Sequence, residues 1–235
     1  MKAPSHLLEP LFNDMRQWRQ HLHQHPEMAF EEIQTAQFIS DKLKSFGLDV
    51  HQGLGDTGVV ASLTSGTSNA RIGLRADMDA LPIQELNSFT YKSVHNGKMH
   101  ACGHDGHSAM LLGAACYLAQ QQNFNGTVRF IFQPAEEGRA GAQRMIDEGL
   151  FKQFPVDSVY GMHNFPNLPE GHFAVKAGAM MASFNCFKIT VTGQATHAAM
   201  PHLGKDPIVA AAHLITALQT IISRTIDPAQ AAALS

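Results

Sequence analysis

Strand-like and helix-like segments alternate along much of this 235-residue chain, and this alternation limits its possible folds most strongly. Short apolar runs predict strands, whereas longer runs with helical periodicity predict the helices between them. The pattern indicates an α/β protein whose helices cover both faces of one sheet. Strands are predicted near 58–63, 71–76, 127–132 and 158–162, and helices near 7–25, 31–46, 108–121, 140–149 and 206–223.

Composition excludes several classes of protein. With 44% hydrophobic and 16% charged residues, the chain can bury an ordinary globular core. A net charge of -3 gives no reason to expect a nucleic acid or an anionic membrane as partner. Three widely spaced cysteines suggest no disulfide framework, and neither a signal peptide nor an apolar run of about 18 residues is found. We therefore expect a reduced, cytoplasmic setting.

The stretch from Met99 to His107 concentrates metal-binding chemistry, with one thiol, three imidazoles and a carboxylate. If this stretch is extended, Cys102 and His104 point to the same side. A thiolate beside an imidazole suits zinc, manganese, cobalt or nickel. The alternative is a solvated histidine-rich loop with a buried structural cysteine.

Polar groups also follow three of the predicted strands. Asp77 and Asp79 follow the strand at 71–76, Glu136 and Glu137 follow 127–132, and His163 follows 158–162. Sites in open α/β sheets gather at the carboxyl ends of strands, so we expect these groups to converge with the Cys/His stretch.

Each of these groups has more than one interpretation. Adjacent carboxylates such as Glu136 and Glu137 repel each other unless a cation lies between them or they point apart. A bare pair is more often a solvated acidic turn. Because this pair ends an apolar strand and precedes Gly138, we favour one glutamate as a metal ligand and the other as the group that takes a proton from water. His163 could be a ligand or a satisfied buried histidine. Asp77 and Asp79 could bind metal, orient a ligand or cap a turn; for Asp77 we favour orienting a ligand.

A second domain is predicted to begin near residue 182. Residues 184–192 alternate like a half-exposed strand and precede the predicted helix at 206–223. A lone strand and helix cannot complete a sheet. We therefore assign 1–181 to a metal-binding catalytic domain and 182–235 to part of a smaller domain.

Six segments together resemble the aminoacylase and hippurate hydrolase family of dinuclear metallopeptidases, which includes hydrolases of indole-acetyl amino acids. They occur in family order and span nearly the whole chain. The segments are 19–27, 74–82, 99–107, 132–138, 161–164 and 197–202.

The resemblance implies a mixed sheet flanked by helices, as in zinc aminopeptidases, followed by the first half of a small α+β lid and dimerisation domain. It also implies two divalent ions (Zn, Mn, Co or Ni). Arg75 stands where distant relatives carry a metal-binding histidine, and Cys102 is a candidate bridging thiolate in its place. The implied metal ligands are Cys102, His104, Glu137 and His163, and the implied catalytic residues are Glu136 as general base, Asp77 as support and His197 as the lid residue that polarises the substrate carbonyl.

The expected activity is hydrolysis of the amide bond in small N-acyl amino acids, by a protein that forms a homodimer at full length. Because the chain is shorter than family members, we expect a C-terminal truncation that removes a last metal ligand. Three alternatives stay open at this point. They are a dipeptidase or carboxypeptidase of the same superfamily, a metal-binding fragment without activity, and a thiol-redox role for Cys102.

Overall fold

A computed structural model describes residues 5–235 and divides the chain into two compact units. The first unit ends at Gly171, and the second extends from His172 to Ser235. The sequence-based division at 181/182 stays a prediction.

The helices and strands of the first unit follow the order that the sequence predicts, with two additional elements. The strand β1 and the short helix α5 were not predicted, and α3 begins at His104 rather than Ser108. The helices are α1 (Ser5–Gln24), α2 (Ile33–Ser45), α3 (His104–Gln121), α4 (Gly141–Asp147) and α5 (Leu150–Gln153). The strands are β1 (Asp49–Leu54), β2 (Gly58–Ser65), β3 (Arg71–Asp77), β4 (Gly126–Gln133) and β5 (Ser158–Gly161).

The five strands form one mixed sheet in the order β1-β2-β4-β3-β5. β2 pairs antiparallel with both β1 and β4, whereas β3 pairs parallel with both β4 and β5. The predicted mixed sheet is therefore confirmed. Because β3, β4 and β5 run in the same direction, their carboxyl ends lie at one edge of the sheet.

Apolar side chains of β4 alternate between two cores, as the two-residue period of a strand requires. Phe130 and Phe132 join the larger core, which also holds Leu112 of α3 and Ile39 of α2. Ile131 lies in the smaller core, with Met145 of α4 and Leu150 of α5. Helices thus cover both faces of the sheet, and β4 is its central strand.

The second unit contains the helix α6 (Pro207–Thr225) and a short 3₁₀ helix (Pro201–Leu203). Asp206 caps α6 by accepting hydrogen bonds from Ile208 N at 2.9 Å and Val209 N at 3.3 Å. The predicted strand at 184–192 is wrong for this structure, since the described residues there pair with no other segment. An alternating pattern alone does not make a strand, because a strand is held by ladder hydrogen bonds to a neighbour.

By length and composition alone, α6 is the one helix among residues 5–235 that could cross a membrane. Core helices of soluble proteins satisfy the same criterion, so a single such helix is weak support for a membrane span.

The larger core depends on fully buried residues of α3, and Leu112 is one of them. Leu112→Ala should lower the free energy of unfolding by about 2–5 kcal/mol, because the cavity it leaves is closed in by the sheet and by neighbouring helices. Denaturant-induced unfolding measures this loss.

Met110→Ala is the matched control, since Met110 lies on the same helix and is 38% exposed. Its effect should stay below about 1 kcal/mol. Equal losses for the two variants would contradict the assignment of Leu112 to the core.

Candidate metal centre

Asp77, the last residue of β3, has donors at both carboxylate oxygens. His107 Nδ1 lies 2.6 Å from Oδ1, and the Arg75 guanidinium donates to Oδ2 at 2.8 Å. Burial alone would raise the pKa of Asp77, but the His107 hydrogen bond and the charges of Arg75 and His104 lower it to about 2. The buried carboxylate is therefore ionised and adds negative charge to this edge of the sheet.

Asp79 connects two of the predicted metal ligands. Its Oδ1 lies 3.1 Å from His104 Nδ1, and its Oδ2 accepts a hydrogen bond from Glu137 N at 2.9 Å. If His104 Nδ1 donates to this carboxylate, the lone pair of the ring lies at Nε2. Metal-binding histidines are commonly oriented by a carboxylate in this way.

A left-handed turn at Gly103, rather than an extended segment, brings Cys102 close to His104. Gly103 has φ of 88°, so the extended geometry assumed for Cys102 and His104 is wrong. A Cβ at this position would lie 2.4 Å from Asn164 Oδ1, so a side chain here would have to displace the Asn164 amide. Glycine therefore lets the loop pass close to the segment that follows β5.

The segment after β5 places His163 beside the loop. Cys102 Sγ lies 3.4 Å from His163 Nε2. Asn164, the next residue, has its Oδ1 2.6 Å and its backbone N 3.0 Å from His107 Nε2. His107 thereby connects the end of β3 to the segment that carries His163.

The two adjacent glutamates both place a carboxylate oxygen near the His104 imidazole. Glu136 Oε2 lies 3.9 Å and Glu137 Oε1 3.8 Å from His104 Nε2. Consecutive residues of an extended strand would point to opposite faces. The backbone instead turns at Ala135, where φ is 52°, and again at Gly138, where φ is 76°.

The donor set fits a divalent cation. Two groups of side chains, which share His104, have ligand atoms within 4.8 Å of one another. His104 Nε2 and Glu137 Oε1 are both buried and have no hydrogen-bond partner within residues 5–235. An imidazole lone pair and a carboxylate oxygen in that state suit a metal ion. The groups are Cys102, His104 and Glu137, and Asp77, His104, His107 and His163.

The electrostatics of the centre also favour a cation. Burial and the nearby carboxylate of Glu137 raise the pKa of the Cys102 thiol to about 12, so the thiolate forms at neutral pH only if a positive charge stabilises it. Burial alone would lower the pKa of His104, but the Asp79 hydrogen bond and surrounding carboxylates raise it. The pocket of carboxylates therefore attracts either a proton or a metal ion to this position.

Six of the seven predicted site residues come together in the first unit. They are Cys102, His104, Glu137 and His163 as ligands, with Glu136 and Asp77. The seventh, His197, belongs to the second unit, where its Nδ1 accepts a hydrogen bond from Ala199 N at 3.1 Å. The roles assigned to all seven stay predictions, although the hydrogen bonds at both oxygens of Asp77 favour support over metal binding.

Sequence reasoning missed two histidines of this region. His107 was read only as part of the Cys/His stretch, although its spacing from His104 places both on one face of α3. His23, to which no chemistry was assigned, is buried and lies 2.9 Å from Asp105 Oδ2 and 3.1 Å from Glu85 Oε1. No local signal identifies His23, because both partners are distant in sequence.

The fold and the site together define an α/β protein with a cation-binding centre at the carboxyl edge of a mixed sheet. Residues 73–233 match peptidase family M20/M25/M40. The chain belongs to this family.

Curated relatives agree with this assignment. Hippurate hydrolase of Campylobacter jejuni is 51% identical over 217 residues, which cover 92% of this chain and 56% of that protein. N-acetyl-L-cysteine deacetylase of Bacillus subtilis is 46% identical, covering 92% and 52%. N-acyl-L-amino acid amidohydrolase of Geobacillus stearothermophilus is 43% identical, covering 97% and 62%. The chain thus spans little more than half the length of these relatives.

Solved structures give the same result. A dinuclear metal binding peptidase of the M20 family from Bacillus subtilis has a TM-score of 0.69 at 40% identity, covering 72% of this chain and 48% of that one. An aminohydrolase described as putative, from methicillin-resistant Staphylococcus aureus, has a TM-score of 0.76 at 34% identity, covering 97% and 62%.

If Asp79 orients both His104 and Glu137, Asp79→Asn should weaken Zn²⁺ binding by roughly 10- to 100-fold. The amide offers one acceptor where the carboxylate offers two, so either the His104 ring or the Glu137 amide loses its partner. Titration calorimetry with Zn²⁺ measures the change.

Asp56→Asn is the control, since Asp56 forms an exposed ion pair with Arg144. Its Zn²⁺ affinity should equal that of the unaltered chain. An unchanged affinity in Asp79→Asn as well would show that Asp79 does not organise the centre.

Proposed function

We propose that this protein hydrolyses the amide bond of N-acyl amino acids at a centre of two divalent metal ions. The observation that carries the proposal is the convergence of a thiol, two imidazoles and a carboxylate beside a second carboxylate, that of Glu136. The names of the relatives support the substrate class, since they hydrolyse hippurate, N-acetylcysteine and other N-acyl amino acids.

Cys102, His104, Glu137 and His163 are the residues that would hold the ions. Soft and borderline ligands of this kind suit zinc, cobalt, nickel or manganese, and we leave the choice open. Such ions, when bound, polarise a carbonyl and lower the pKa of water toward neutrality. The dinuclear character of the M20 peptidase from Bacillus subtilis supports a pair of ions.

Glu136 is the proposed general base. Its side chain is 40% exposed, so a substrate and a water molecule can reach it. Burial and the neighbouring charge of Glu137 raise its pKa, which brings the carboxylate closer to the range in which a base both accepts and returns a proton. Glu136 takes the proton of the attacking water and then delivers it to the nitrogen of the leaving amino acid.

Three further assignments belong to this proposal. His197 polarises the substrate carbonyl and stabilises the oxyanion that develops there. The full-length protein forms a homodimer. It works in the cytoplasm.

Release of the amino acid from hippurate and N-acetylcysteine, measured with Zn²⁺, Mn²⁺ or Co²⁺ and compared with simple dipeptides, tests the proposed reaction. We expect turnover of the N-acyl amino acids that a chelator abolishes and added metal restores. Preferential cleavage of dipeptides would instead identify a dipeptidase. Metal binding without any turnover would identify a non-catalytic metal-binding chain.

Glu136→Gln should reduce kcat by about 100-fold or more, because the amide cannot accept the proton, while metal stoichiometry stays unchanged. Glu9→Gln, on the exposed surface of α1, is the matched control and should keep full turnover. Retained activity in Glu136→Gln would remove the assignment of Glu136 as general base.

A further inference from the structure

The carboxylate of Glu32 is fully buried and accepts hydrogen bonds from two residues that are distant in sequence. Its Oε1 accepts a hydrogen bond from Ala135 N at 2.8 Å, and its Oε2 accepts one from Thr57 Oγ1 at 2.6 Å. Ala135 directly precedes the Glu136–Glu137 pair. Glu32 therefore contacts the backbone of the segment that carries the proposed general base.

Helix capping does not account for the position of this side chain. Glu32 is the N-cap residue of α2, yet it makes no capping hydrogen bond. Glu27 takes that function, since its carboxylate accepts hydrogen bonds from Gln34 N at 3.2 Å and Thr35 N at 2.8 Å. The Glu32 carboxylate is thus free to reach across to Ala135.

Ala135 needs support because its backbone is left-handed, with φ of 52°, which is unusual for a residue with a Cβ. Gly141 N donates to the Ala135 carbonyl at 3.0 Å, and Glu32 accepts from the Ala135 amide. Both the backbone amide and the carbonyl of Ala135 are therefore hydrogen-bonded. This turn is what directs the two consecutive glutamates toward His104.

The backbone amides on either side of Glu136 are both bound by buried carboxylates. The Ala135 amide donates to Glu32, and the Glu137 amide donates to Asp79. Asp79 also contacts His104, so its function in the centre is already apparent. Glu32 binds the amide on the other side of Glu136. Its carboxylate hydrogen bonds go to Ala135 and Thr57, neither of which is a predicted metal ligand.

We propose that Glu32 is a positioning residue for the Glu136–Glu137 turn, acting through the Ala135 amide. This inference rests on the proposed function, since it concerns how the general base and the ligand Glu137 are aimed. Removing the Glu32 acceptor lets Ala135 leave its left-handed conformation, and the two glutamates then lose their common direction.

Substitutions at Glu32 separate this role from a general contribution to folding. Glu32→Ala removes the acceptor. Glu32→Gln keeps it, because the amide oxygen can accept from Ala135 N while the amide nitrogen donates to Thr57 Oγ1. Thr57→Val removes the other partner of the same carboxylate and leaves the Ala135 bond in place. Glu31→Ala, at the neighbouring exposed glutamate paired with Lys98, is the surface control.

The readouts are the absorption spectrum of bound Co²⁺ and the affinity for Zn²⁺, measured on the full chain. We expect Glu32→Ala to shift the Co²⁺ bands and to weaken Zn²⁺ binding by about tenfold. Glu32→Gln should restore both values. Thr57→Val should lower the melting temperature with the Co²⁺ spectrum unchanged, and Glu31→Ala should change neither. Where the chain turns over substrate, Glu32→Ala should lower kcat more than it changes KM.

A folded Glu32→Ala protein with an unaltered Co²⁺ spectrum and Zn²⁺ affinity would overturn the positioning role while leaving the metal centre in place. An unaltered chain that binds no Co²⁺ would instead refute the proposed function, and the positioning role with it. If Glu32→Ala does not fold, Glu32→Asp replaces it and is judged by the same criterion. The aspartate side chain is shorter by one methylene, so its carboxylate cannot accept hydrogen bonds from both Ala135 and Thr57.

Discussion

The parallel pairing of β3 with both β4 and β5 is the constraint on which the centre depends. The carboxyl ends of parallel strands lie side by side. The polar residues that follow β3, β4 and β5 therefore lie at the same edge of the sheet, although they are far apart in sequence. An antiparallel β4 or β5 would send Glu136 or His163 to the opposite edge. β1 and β2, which pair antiparallel with each other, complete the sheet without contributing residues to the predicted ligand set.

Buried charge at this edge is tolerated because each buried carboxylate is matched to donors. Asp77 is paired with Arg75 and His107, Asp79 contacts His104 and the Glu137 amide, and Glu32 holds Ala135. Charges removed from water must find such partners, or their burial becomes prohibitively costly. Among the predicted ligands, His104 Nε2 and Glu137 Oε1 have no hydrogen-bond partner within residues 5–235, and these two atoms lie 3.8 Å apart. The same network that stabilises the edge therefore leaves a place of the right charge for a cation.

Much of the fold was predictable from local patterns. The strands β2, β3 and β4 and the helices α1, α2 and α6 follow their apolar periodicity closely. β1 was missed because Asp49–Leu54 reads DVHQGL, which carries too few apolar residues to resemble a strand, and it forms through its antiparallel partner β2. For the segment 184–192 the error is the opposite one, since it has the pattern of a strand but pairs with no other segment within residues 5–235. In both cases the ladder partner, rather than the pattern, determines whether a strand forms.

By itself the sequence determined the chemical inventory: a thiol, imidazoles and carboxylates at strand ends and in one loop, with spacings that resemble a known family. The tertiary structure decided which of them meet. It replaced the extended geometry of Cys102 and His104 with a turn at Gly103, and it added His107. It also brought Glu32 to Ala135 across 103 residues of chain. Local periodicity reports which face a residue occupies, whereas contacts over such separations depend on strand order and on turns, which no short window of sequence contains.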